Sequence, residues 1–137
     1  MTGPVSGADL PPYARALGIA IDHDEDGLPV LSVDFSDRIL GRPGFLHGGA
    51  MSGLMEMAAI AALRAELERR GEAMKLKPVN VQVEFMRGGT EQRTYAMGTV
   101  TRAGRRVALV NAECWQDDRT KPIALAQMKI LLSPAAE

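Results

Sequence analysis

The stretch 44–63, GFLHGGAMSGLMEMAAIAAL, brings together residue types able to act on a carbonyl group. Residues 50–63 are almost wholly apolar, with Ser52 and Glu56 as the polar exceptions. An ionised carboxylate left unpaired in an apolar site costs several kcal/mol, so Glu56 requires a reason. The ordinary one is that it falls on the helical stripe that reaches water, or pairs with an arginine. Two neighbours point elsewhere. Ser52 lies four residues earlier, on the same helical face, and that face looks toward His47-Gly48-Gly49, about two turns away.

The first turn of a helix presents free backbone N–H groups and a positive partial charge. Gly48 and Gly49 leave that backbone bare, so a ligand oxygen can approach the amides closely. A carbonyl seated there would be polarised as in an oxyanion hole. Glycines at such a point also serve tight packing against a strand, and a histidine there also serves as a cap. Base, amides and histidine within one short span carry more together than apart.

These groups need a helix and something to hold it. The helix is expected from about residue 48 to 70, ended by Gly71 and charged over RAELERR. Before it, Asp9 can cap a short helix through Leu17, with Pro11 and Pro12 in the first turn and Gly18 as the stop. GIAID and LPVLSVDF read as a strand hairpin joined through HDEDG, the second strand half-buried because Leu31, Val33 and Phe35 alternate with Ser32 and Asp34. Residues 36–46 form a loop. From residue 78 the period becomes two: VNVQVEF, TYAMGTVTR, RVALVNAECW and IALAQMKILL read as four strands in a meander, with RGGTEQ, RAGR and DDRTK as turns of hairpin length. A helix apolar around most of its girth cannot lie on a surface. The expectation is an α+β fold with one central helix enclosed by a curved antiparallel sheet of five to six strands, spanning residues 9–137 as a single domain after a loose tail at 1–8.

Composition narrows the function classes. The 137 residues are 46% apolar and 24% charged, ordinary for a globular domain with a real core. A net charge of −1 gives no reason to expect nucleic acid or an anionic membrane as partner. Cys114 is the single cysteine, which suits a reducing cytoplasm. The start, MTGPVSGADLPPYAR, lacks the features of a signal peptide, and no apolar run approaches the roughly 20 residues needed to span a bilayer. His23 and His47 are the only histidines and share no ligand spacing, so no metal site is expected.

HGG at the head of a long apolar helix, an acid nine residues after the histidine, and the strand order that follows resemble the hotdog-fold acyl-CoA thioesterases of the PaaI-like family, over about residues 10–132. The resemblance implies a sausage-like helix wrapped by a sheet, and hydrolysis of acyl-CoA to a free acid and CoA. Glu56 would be general base or nucleophile, and the Gly48 N–H would polarise the thioester carbonyl. His47 and Gly49 would hold the loop around that carbonyl. Burial should raise the Glu56 pKa toward useful basicity. The chain departs from the family pattern at Gly41, where relatives carry Asn or Gln, and at Ile60, where many carry Ser or Thr. Ser52, or a residue of the facing strand such as Asn80, is then the candidate for positioning water. The family's site lies between two subunits, so a homodimer, or a homotetramer of two dimers, is implied.

CoA carries phosphates, which directs attention to Arg102, Arg105 and Arg106 in TRAGRR and to Arg87, Gly88 and Gly89, the last two as amide donors. CoA is part of the substrate, and no resident cofactor is expected. Phe45, Leu46, Met51 and Met55 are candidates to line the acyl pocket, methionine being adaptable, with plain core packing the competing explanation and the favoured one for Met55 and Met57. Aromatic residues make up only 4% of the chain, which favours aliphatic or mixed acyl groups. Two rivals remain. One is a hotdog enoyl or 3-hydroxyacyl thioester hydro-lyase, although its His-Phe-Pro and Asp-x-Asn-x-x-His motifs are missing. The other is a non-catalytic acyl-CoA binder.

Overall fold

A computed structural model of the chain describes residues 10–135. The expected tail at 1–8 and the Asp9 cap lie outside the described residues. A short helix α1 (Pro12–Leu17) starts after Pro11 and stops at Gly18, whose φ of 83° is the left-handed conformation glycine adopts freely. Strands β1 (Ile19–Glu25) and β2 (Leu28–Val33) pair antiparallel. Only Asp26 and Gly27, both at positive φ, make the turn between them. The rest of HDEDG, read as connection, is strand. A loop then leads to helix α2 (Gly48–Arg69), followed by β3 (Met74–Phe85), β4 (Thr94–Ala103), β5 (Val107–Trp115) and β6 (Ala124–Pro134).

The six strands form one antiparallel sheet in the order β1-β2-β4-β5-β6-β3, curved around one long helix as the α+β, hotdog-type expectation required. The meander holds for β4, β5 and β6 but not for β3, which pairs with β6 at the far edge while β4 pairs with β2. RGGTEQ is therefore a crossover, not a hairpin turn. It passes beneath the start of α2 and is pinned there: Met86 and Arg87 N–H groups donate to the Ile123 carbonyl, and Leu46 N–H donates to Gly89. The Gln116 side chain adds four bonds to Thr90 and Thr94.

The helix lies chiefly over β4, β2 and β5. It comes very close because small residues meet there. A Cβ on Gly98 of β4 would sit 2.7 Å from the Ala58 carbonyl oxygen and 2.8 Å from Ala59 Cα, both backbone atoms of α2. Leu31, Leu54, Met55, Leu63, Met128 and Ile130 fill the space around this contact and are fully buried. Cys114 is buried in the same layer, and burial pushes its thiol up to about 12.

β2 is buried on both faces rather than one. Its outer face, with Val30 and Ser32, adjoins Met97 and Tyr95 of β4. Tyr95 stacks on Trp115, and the Arg119 guanidinium lies 4.4 Å from the Trp115 ring centroid while binding Glu25. Aromatic alternation alone could not announce this second layer.

The two sheet edges differ. β1 is short, bulged between Ile21 and His23, and lined by charges, all features that discourage further pairing. β3 is twelve residues long and largely exposed, including Val79, Val81 and Phe85. Between β3 and the stripe Ser52, Glu56, Met57, Ile60 of α2, none of which is fully buried, the concave face stays open.

The Gly98 contact generates a direct expectation. Gly98→Ala drives a methyl into helix backbone, so it should cost about 1–3 kcal/mol, read as a lower denaturant midpoint at unchanged slope. Gly104→Ala, whose added Cβ would meet its nearest neighbour at 3.4 Å, should leave the midpoint in place.

Candidate active site

His47 is the N-cap of α2, in extended backbone conformation. Its Nδ1 accepts the Gly49 N–H at 2.8 Å, which requires the ring proton on Nε2. Its carbonyl accepts the N–H groups of Ala50 and Met51, and its own N–H donates to Ile39. Of the amides opening the helix, three are thus taken. Gly48 N–H alone has no acceptor among the described residues.

Each glycine of HGG has a local cause. A Cβ on Gly49 would fall 2.9 Å from His47 Nδ1, so glycine admits the cap. A Cβ on Gly48 would fall 3.2 Å from the Phe85 ring, so glycine admits an aromatic that the sequence reading did not single out. Gly41 has a similar cause: its Cβ would press on His47 Cα at 3.0 Å. The loop folds back on the cap with Gly41 N–H donating to Phe45, and no side-chain amide stands there.

Glu56 lies on the open stripe of α2, half-buried, with Ser52 one turn before it and Ile60 one turn after. It has no hydrogen bond or ion pair among the described residues, and desolvation alone raises its pKa from the ordinary 4.5. Of the two ordinary readings of this residue, the helix stripe that reaches water is met and the arginine partner is not. Eight residues of helix separate Glu56 from Gly48, about 12 Å of axial rise.

Other candidates are placed differently from expectation. Leu46 and Met51 are buried in the chain's own core and offer no open wall. Met55 is fully buried too, in line with the core packing favoured for it. Leu46 packs beneath Gly89. Phe45 carries the Arg42 guanidinium over its ring, 4.2 Å from the centroid, and its Cδ1–Cε1 edge meets Gly88, whose Cβ would fall 2.7 Å from the ring. Asn80 does not face the helix. It pairs with Lys129 on the outer side of the sheet, while Val81 opposite Met128 points inward. VNVQVEF already put its polar residues on the face away from the valines, so this was legible.

Gly88 and Gly89 thus have packing reasons for being glycine. Arg87 borders a cleft of about 350 Å³ with Lys121, Asp117 and Asp118. Both cations help hold the Asp118 carboxyl below its usual value, behind its hydrogen bonds from Thr120, so the cleft's charges balance. Arg102, Arg105 and Arg106 are exposed around the β4–β5 turn, where Arg70 donates to Ala103 O. That turn sits at the C-terminal end of α2, about 33 Å of helix from Gly48. Within one chain the arginines and the helix start are not brought together. A groove of about 690 Å³, lined by Gln82, Glu84, Met97, Asn111 and Gln127 among others, lies on the outer face and does not include Glu56 or Gly48.

Among the described residues no group of three or more His, Cys, Asp or Glu could hold a metal ion, and no helix is long and apolar enough to cross a membrane.

Known proteins share this layout. The family model described as the thioesterase superfamily matches residues 43–123, a span holding Gly48, Glu56, Phe85 and the crossover. The chain is 24% identical over 120 residues to the medium/long-chain acyl-CoA thioesterase YigI of Salmonella typhimurium, covering 79% of this chain and 77% of that one. A crystal structure of a Chromobacterium violaceum protein is 35% identical, with a TM-score of 0.72 over 95% of this chain and 88% of that one. A thioesterase from Haemophilus influenzae, at 17% identity, shares the fold with a TM-score of 0.76 over 91% and 85% of the two chains. With its helix start, its acid and the strands β3, β4 and β5 inside the matched span, the chain belongs to the thioesterase superfamily.

Proposed function

We propose that the chain hydrolyses acyl-CoA thioesters to a free acid and CoA, with the Gly48 N–H of one copy polarising the thioester carbonyl and Glu56 of a second copy acting on its carbon. The observation that carries this reading is the single uncommitted amide at the head of a helix that also bears an unpaired, partly desolvated carboxylate. Glu56 takes a proton from water as the water oxygen attacks the carbonyl carbon. The resulting oxyanion accepts from Gly48 N–H, the carbon–sulfur bond breaks, and the proton passes to the departing thiolate. Direct attack by Glu56 through an anhydride is the variant of the same scheme. His47 fixes the neutral cap and Gly49 makes room for it. Water is the only co-reactant, so the reaction needs no resident cofactor. The relatives' name favours a medium or long acyl chain, the HGG motif and the acid nine residues after its histidine support a PaaI-like branch, and a reducing cytoplasm fits the lone buried cysteine.

The need for two copies is geometric. About 12 Å of rise between Gly48 and Glu56 exceeds what one carbonyl and one water span. The long unpaired edge of β3 supports pairing with a second copy into a homodimer, or further into a homotetramer. Two β3 edges joined about an axis perpendicular to the sheet run antiparallel. That symmetry carries the second copy's Arg102, Arg105 and Arg106 to the end where the first copy's Gly48 stands, which supports their role toward CoA phosphates. Ser52, one turn from Glu56, is the remaining candidate to hold water, since Gly41 has no side chain and Ile60 is apolar. Those two positions also favour the second reading, a non-catalytic acyl-CoA binder.

A panel of short, medium, long and aromatic acyl-CoAs, followed by free-thiol release, separates the readings. Turnover on aliphatic members is expected, and a flat panel with retained binding would establish the binder. Glu56→Gln should lower turnover by about 10²-fold or more without loss of thermal stability, because it removes a carboxylate whose charge burial disfavours. The acid limb of kcat/KM should fall as pH drops through a pKa above 4.5, since the base must be ionised. Raising salt should raise KM, and Arg105→Ala should flatten that dependence.

A further inference from the structure

We propose that Phe85 is a positioning residue of this site, its ring forming the apolar wall over the Gly48 amide against which the thioester and the first acyl carbons lie. The inference rests on the hydrolase reading above and goes beyond it, because neither the HGG motif nor the acid specifies this wall.

Phe85 is the last residue of β3 and lies opposite Ala124. Its register puts it on the concave side with Val83 and Val81, yet it is 54% exposed. An isolated exposed aromatic needs no explanation. This one is set against the residue that matters: ring atoms Cζ and Cε1 lie 3.2 and 3.3 Å from the place a Gly48 Cβ would occupy. The residue that carries the free amide is therefore flanked by hydrocarbon on its Cα side. A hydrogen bond from that N–H gains strength where the local dielectric is low, and a carbonyl seated there is confined on the side the ring occupies.

The wall continues. From Phe85 the inward row passes Val83 and exposed Val81, about 13 Å along the strand, giving apolar surface for an acyl chain whose carbonyl is at Gly48. The other nearby aromatic cannot serve, because Phe45 has Arg42 over its ring and Gly88 against the ring's Cδ1–Cε1 edge.

The test compares wild type with Phe85→Ala and Phe85→Leu on acyl-CoAs of graded length, alongside oligomeric state and thermal midpoint. Loss of the wall should lower kcat about tenfold or more with a smaller change in KM. The loss should be largest for short acyl groups, which have no contacts further along β3, and leucine should restore much of it. A purely structural role would reduce folded protein equally for every substrate and leave the kcat of the folded fraction alone. Wild-type kcat and chain-length profile in a folded Phe85→Ala would overturn the proposal; if that variant does not fold, Phe85→Val, which removes most of the ring's surface, takes its place, a short-chain deficit supporting the proposal and a wild-type profile overturning it. If wild type binds acyl-CoA without turnover, the hydrolase reading fails separately. The wall then stands or falls on whether short-chain acyl-CoA affinity drops in the variants.

Discussion

The closeness of β4 to α2 is the constraint on which the rest of the architecture depends. Backbone meets backbone where Gly98 faces Ala58 and Ala59, and that contact sets how deeply the helix sinks into the sheet. A helix seated this deep buries Leu54, Met55 and Leu63 completely. It also fixes which stripe remains outside: with β2, β4 and β5 occupying one side, Ser52, Glu56 and Ile60 are left toward the open flank beside β3. The position of the acid is a by-product of small residues on the opposite side of the helix.

The same seating fixes the helix start. His47 is held by Ile39 from the preceding loop, and Leu46 by Gly89 from the crossover. The cap therefore does two things with one residue: it satisfies three amides and leaves the fourth. A helix N-terminus normally offers several free donors; here capping narrows them to one, which gives the polarising group a defined direction.

Much of this was legible in the sequence. The limits of α2 followed from its glycines, since Gly71 adopts the positive φ a helix stop needs, and the central helix within a sheet followed from its girth of apolar residues. Strand order was not legible. Pairing of β3 with β6 joins residues some fifty positions apart, and the hairpin-like length of RGGTEQ says nothing about whether its ends pair or cross. Acyl-pocket candidates chosen for being apolar and near HGG, Leu46 and Met51, proved to be core, because proximity in sequence does not reveal which side of a helix or loop faces inward. Phe85 escaped notice for the converse reason: it lies 37 residues beyond Gly48, and only the fold brings them into contact.

Cys114 carries a practical consequence. Its sulfur is enclosed between sheet and helix, and its proton is held far more tightly than that of a free coenzyme thiol. Thiol-specific colour reagents act on thiolates that solvent can reach. In a coupled assay of ester cleavage such a reagent would register the released product against a silent protein background, and any slow rise from the protein itself would report unfolding.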